Sequence, residues 1–174
     1  TNYTWATINV TDTTADVADI YVLDNRYGPD LSLSNINSIT GTKSDLSLFA
    51  VNYAQNDITG LGNEALTVTD GSITVTEANV LDALTTGVVT ATISTQTIAD
   101  LDDLTGTGNA YTITVGDSSV TAAALNTVDA ATTEAVTATA VTTITGAASA
   151  VNTALSSSTI TGLGEEFVTL TGST

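Results

Sequence analysis

Residues 72–92 read SITVTEANVLDALTTGVVTAT, and residues 119–139 read SVTAAALNTVDAATTEAVTAT. The two stretches align without gaps at an offset of 47 residues, with Ser72/Ser119, Asn79/Asn126, Asp82/Asp129, Thr85/Thr132 and Thr90/Thr137 identical. Self-similarity at a fixed offset is the signature of a repeat architecture. A second word, ITGLG, stands at 58–62 and again at 160–164, with LTGTG at 104–108 as a degraded copy.

A shorter unit lies inside the long one. The helix-start pattern Thr-x-x-Asp/Glu recurs as TTAD (13–16), TKSD (42–45), TVTE (74–77) and TIAD (97–100). TAAA from Thr121 and AASA from Ala147 take the equivalent places without the acid. In such a capping box the Thr oxygen accepts an orphan backbone N–H, and the acid three residues on accepts the N–H of the Thr while its charge meets the positive end of the helix dipole. Four residues after the six starts stand Val17, Leu46, Ala78, Leu101, Leu125 and Val151, and seven after stand Ile20, Phe49, Leu81, Leu104, Val128 and Ala154. This predicts one apolar helical stripe repeated six times.

Ahead of each helix the period changes to two. Ile8/Val10, Leu31/Leu33, Leu66/Val68, Val89/Ala91/Ile93, Tyr111/Ile113/Val115, Val136/Ala138/Ala140 and Val168/Leu170 alternate with polar residues, and each set reads as a short strand with one buried face. A unit of strand, turn, short helix and return cannot bury its apolar face alone, so units must stack. The expected fold is an α/β right-handed solenoid of about six coils, one strand and one helix per coil, similar in architecture to a leucine-rich repeat. Residues 1–30, with Trp5, Tyr21, Arg26, Tyr27 and Pro29, depart from the pattern and read as an N-terminal cap; residues 31–174 read as the repeats. An all-β sandwich or β-solenoid is the alternative, because Thr and Val are weak helix formers and the helical segments are short.

Composition narrows the chemistry. The chain has 174 residues, 19 acids against only Arg26 and Lys43, a net charge of -17, and no His, Cys or Met. Without His or Cys there is no imidazole or thiolate for a catalytic triad or a soft metal site, and no disulfide. Two cations in a strongly negative field exclude nucleic acid and anionic membranes as partners. Thr occurs 38 times and Ala 23 times, while 42% of residues are apolar, enough to fill a core and to argue against disorder. No apolar run reaches membrane-spanning length and no signal peptide is seen, so a soluble chain without membrane insertion is expected. The start at Thr1 suggests a segment processed or excised from something larger.

The phrases ITGLGNEALTV, AALNTVDAATTEAVTA and VTTITGAASAVNTA resemble the Thr/Ala-rich repeats of very large secreted or cell-surface proteins of bacteria, marine ones and cyanobacteria among them, including S-layer-like and adhesin-like chains. The resemblance covers about position 39 to the C-terminus. It implies an extracellular, cell-surface, structural or adhesive role, self-association or contact with neighbouring repeats, a surface or glycan ligand, and no catalytic residues.

Two constellations remain. Asp70 and Asp117 fall at turns between strand and helix, and Asp100 and Asp103 flank one helix, so these four carboxylates are the candidates for an oxygen-only Ca²⁺ site. Neither an EF-hand loop nor a calcium β-roll nonapeptide is present, and the plainer reading is a solvated acidic face. Paired acids also serve glycosidases, but the few aromatic residues offer no sugar platform, which leaves a carbohydrate-directed enzyme or lectin third in line. The outward strand positions Thr67/Thr69, Thr90/Thr92, Thr112/Thr114 and Thr137/Thr139, continued by Thr7, Ser32/Ser34 and Thr169/Thr171, would stack into two ranks of hydroxyls and methyls. Such an array resembles the ice-binding face of repetitive antifreeze proteins, although Thr is also simply a good β former. The expected function is therefore a non-enzymatic structural or adhesive module, with ice binding as its rival.

Overall fold

The structure, a computed structural model, describes residues 8–27, 31–54, 60–94 and 97–172. Trp5, Thr7, Pro29 and the first two residues of the ITGLG word at 58–62 lie outside them. The chain forms two compact units, one of residues 1–71 with 80–90, the other of 72–79 with 91–174.

The first unit contains β1 (Ile8–Asn9), β2 (Thr14–Asp16), α1 (Val17–Tyr27), β3 (Leu31–Ser32), β4 (Ser38–Gly41), α2 (Lys43–Ala54) and β5 (Ala65–Val68). Helix α3 (Val75–Asp82) and strand β6 (Val89–Thr92) have residues in both units. The second unit continues with α4 (Ile98–Leu101), β7 (Ala110–Thr112), β8 (Ser119–Thr121), α5 (Ala122–Ala130), β9 (Val136–Thr137), β10 (Thr143–Gly146), α6 (Ala148–Ser156), β11 (Ile160–Thr161) and β12 (Phe167–Leu170). Among the described residues the strands fall into four sheets, ordered β1-β3, β2-β4-β5-β6-β7, β12-β10-β8 and β11-β9. The ladders β1–β3, β2–β4, β4–β5, β5–β6, β8–β10, β10–β12 and β9–β11 are all parallel.

This corrects the expected fold. In place of a right-handed solenoid with one strand and one helix per coil, the chain is a mixed α/β fold with several separate, open parallel sheets and six described helices. The physical reason is a second strand that the alternation did not disclose. Before α1, α2, α5 and α6 the chain runs through two short strands, as in β3 followed by β4 or β9 followed by β10. The strand nearest the helix presents a single fully buried apolar residue, Ile39 in β4, Val120 in β8 and Ile144 in β10, between Ser and Thr neighbours. One inward residue has no visible period. The helices and the parallel pairing likewise exclude the all-β alternatives.

The helical stripe is where it was expected. All twelve positions from Val17 and Ile20 to Val151 and Ala154 are buried, and Leu46, Leu101, Leu125 and Val128 have no exposed surface at all. Each large aliphatic side chain so buried contributes about 1.5–3 kcal/mol. Of the strand residues, Leu31, Leu33, Leu66, Val89, Ala91, Ile93, Tyr111, Ile113, Val115, Val136 and Ala138 are buried with them, whereas Ala140 sits exposed in a turn. One helix starts later than its motif suggests. Thr14–Asp16 is taken up by β2, and Asp16 rather than Thr13 caps α1, its Oδ1 accepting the Ala18 N–H at 2.9 Å.

Candidate functional site

The acidic candidates are drawn to helix starts. At α2, Thr42 Oγ1 accepts the Asp45 N–H at 3.2 Å and donates to Asp45 Oδ2 at 2.6 Å. At α3, Glu77 Oε2 accepts the Thr74 N–H at 2.7 Å while Thr74 Oγ1 accepts the Glu77 N–H at 3.2 Å. Asp100 does the same with Thr97 at α4, at 3.3 Å in both directions. Thr121 caps α5 alone, through the Ala124 N–H at 3.2 Å, and α6 begins at Ala147 with no side-chain cap.

Asp70 and Asp117, 47 residues apart, have one shared role. Asp70 follows β5 and its Oδ1 accepts the Lys43 N–H at 2.6 Å, the first amide of α2. Asp117 Oδ2 accepts the Ile98 N–H at 2.5 Å, the first amide of α4. Each carboxylate thus satisfies an orphan donor of an earlier helix and sits at the positive end of its dipole. Asp103 closes the far end of α4, where its carbonyl accepts from Asn79 Nδ2 at 2.8 Å. Of the four calcium candidates, Asp117 and Asp100 meet at the start of α4, Asp103 lies beyond the end of that helix, and Asp70 serves a different helix. Among the described residues no group of three acidic side chains is placed to hold a metal ion.

The Thr candidates do not form the two expected ranks. Thr67 stands beside Thr90 as expected, and Thr40, not anticipated, stands on the other side of Thr67. In the second unit, however, Thr137 pairs with Thr114 and with Thr161, not with Thr112. The register is two residues away from the expected one, and Thr69, Thr92, Thr112 and Thr139 fall outside these Thr–Thr rows. A further row, Thr121–Thr145–Thr169, runs across β8, β10 and β12. Several of these hydroxyls turn back to the backbone: Thr145 Oγ1 donates to the Val120 carbonyl at 3.4 Å and Thr161 Oγ1 to that of Val136 at 3.1 Å.

The residues that the repeat shares do the joining. Asn126 Nδ2 donates to the Ala150 carbonyl at 3.0 Å, as Asn79 Nδ2 does to Asp103, and Asn79 Oδ1 also accepts the Thr105 N–H at 3.0 Å. Thr85 Oγ1 donates to the Glu64 carbonyl at 2.6 Å and accepts the Gly87 N–H at 2.9 Å. Thr132 repeats this with the Tyr111 carbonyl at 2.8 Å and the Glu134 N–H at 3.1 Å. Each side chain ties one step of the fold to backbone 21 to 26 residues away. Glu64, not singled out from sequence, is buried, and its Oε2 accepts the N–H groups of Gly62 and Asn63 at 2.7 and 3.1 Å. Glu166 repeats the contact with the Gly164 N–H at 2.8 Å, so the GLGxE word was the available signal. The glycine of that word has φ +88° at Gly162, where a Cβ would come within 2.6 Å of Thr139 Cγ2.

One titratable group departs from its ordinary range. Burial, then the nearby Asp45 carboxylate, push the Tyr21 hydroxyl up to about 12, against a lowering hydrogen bond with Asn52. The Tyr21 hydroxyl donates to the Asp45 carbonyl at 3.3 Å. Among the described residues no helix is long and apolar enough to cross a membrane. No known protein family, curated protein or solved structure matches the chain.

Proposed function

We infer that this protein is a non-enzymatic, extracellular structural or adhesive module of a bacterial cell-surface layer, fibre or adhesin. The observation that carries the reading is where the repeated polar side chains go. Asn79 and Asn126, Thr85 and Thr132, and Asp70 and Asp117 all bond to backbone of another step. Their chemistry is directed inward, to cohesion between steps. A surface of net charge -17 without Cys suits an oxidising, salty exterior, where screening relieves self-repulsion. The rival, ice binding, needs a continuous lattice of outward Thr, and the registers divide that lattice into short rows.

The test is surface labelling of the producing cells with an antibody to this chain, together with protease shaving. The expected result is labelling of intact cells that shaving removes. A chain found only after lysis overturns the reading. Thermal hysteresis measured on the purified chain decides the rival: none is expected, and activity abolished by Thr114→Tyr with the circular dichroism unchanged establishes ice binding instead.

A further inference from the structure

Strand β12 differs from β10 and β8, the two strands beyond it in its sheet. Val168 pairs with Ile144, which pairs with Val120. Ile144 and Val120 are 0% and 2% exposed, yet Val168 is 44% exposed and its neighbours Phe167 and Leu170 are 80% and 52% exposed. The cause is position. Strand β12 ends the order β12-β10-β8, and β11 ends the order β11-β9, so a whole step of the fold lacks the step that covers every earlier one. An unpaired strand edge with apolar side chains is a template for another strand.

We propose that the β11/β12 edge is a docking surface for a second copy of this chain, whose β1 and β2 extend the two ladders in parallel. This rests on the reading of the protein as an assembling module and names its partner. Three observations select the occupant. The ladders of known register are all parallel, which favours addition of a like-directed strand over a two-fold pairing of β12 with β12, which is antiparallel. Strands β1 and β2 are themselves terminal in their sheets, β1 in β1-β3 and β2 in the five-stranded order. The spacing also matches: β11 and β12 begin at Ile160 and Phe167, β1 and β2 at Ile8 and Thr14, and β3 and β4, which already pair with β1 and β2, at Leu31 and Ser38. Continued in register, Ala15 falls opposite Val168 and Ile8 opposite Ile160, inward residue against inward residue. The contact joins unlike surfaces, so it propagates from copy to copy instead of closing at a dimer by two-fold symmetry. Asp12 and Asp16 meet Glu165 and Glu166 across it. Like charges make this association stronger at high salt, the reverse of one held by ion pairs.

The full chain is sedimented by analytical ultracentrifugation across a wide concentration range at low and high NaCl. The wild type is expected to form species larger than dimers, more of them at high salt. Val168→Lys puts an inward charge on the edge and is expected to be monomeric alone. Its β1/β2 edge remains intact, so mixed with wild type it is expected to join the oligomers and shorten them. A wild type that stays monomeric or stops at dimers overturns the proposal, as does a variant that oligomerises normally or is excluded from wild-type oligomers. Circular dichroism controls folding, and Phe167→Asp, at the most exposed position, serves in the same scheme if Val168→Lys misfolds. A chain that labels at the cell surface but stays monomeric overturns the docking alone, and one that oligomerises yet is found only after lysis overturns the functional reading alone.

Discussion

Residues 72–92 and 119–139 are two copies of one stretch, and what they share differs in kind from what they do not. Asn79 and Asn126 make the same bond to a carbonyl 24 residues ahead, and Thr85 and Thr132 make the same bond to a carbonyl 21 residues back. Glu77, which completes the cap of α3, is replaced at α5 by Ala124, and Thr121 caps that helix alone. A side chain that joins two steps is needed by both, while a capping acid serves only its own helix. The second can be dropped for the cost of one cap.

The largest expected effect is at the apolar stripe common to both copies. Leu125→Asp buries an unpaired carboxylate at a site with no exposed surface, costs several kcal/mol, and is expected to abolish cooperative melting of the second unit, followed by circular dichroism. Thr112→Ser, on an exposed strand position, is expected to melt like the wild type. Equal effects of the two substitutions break the assignment of Leu125 to the core.

Next come the joining residues. Asn126→Leu leaves the Ala150 carbonyl without its donor and is expected to cost about 1–3 kcal/mol in urea unfolding. Asn79→Leu removes two bonds and is expected to cost more than Asn126→Leu. The reverse order contradicts the equivalence of the copies. Removing the acid they do not share is milder: Glu77→Ala is expected to cost about 0.5–1 kcal/mol, because Thr74 still caps the helix as Thr121 does in the other copy.

The smallest effect is read by alkaline titration of the first unit. The Tyr21 hydroxyl is raised in the folded state, so the unfolded chain ionises first, and the stability this side chain confers is complete below pH 10 and lost as pH rises to about 12. Tyr21→Phe is expected to flatten the fall of melting temperature over that window. An unchanged slope means that Tyr21 is solvated.

The sequence was most legible where side chains repeat at helical spacing, since one slip of the stripe moves every apolar residue off the core. The strands were legible only in part. A strand such as Thr143–Gly146 carries one inward residue, Ile144, and alternation needs at least two. The Thr rows failed for a related reason. Faces alternate with period two, so a register two residues off, Thr112 rather than Thr114 against Thr137, keeps every side chain on the correct face and leaves no trace in the pattern. The four acidic candidates were identifiable as turn and helix-start residues. That Asp70 and Asp117 cap another helix depends on contacts 27 and 19 residues away, which local spacing does not encode.

Those two contacts also set an order of events. Helix α2 begins at Lys43, but the carboxylate that completes its start belongs to Asp70; helix α4 begins at Ile98 and waits for Asp117. A chain that grows from its N-terminus therefore carries each of these helices unfinished until the next step has emerged. Folding trails synthesis by one step, and each newly made turn seals the one before it.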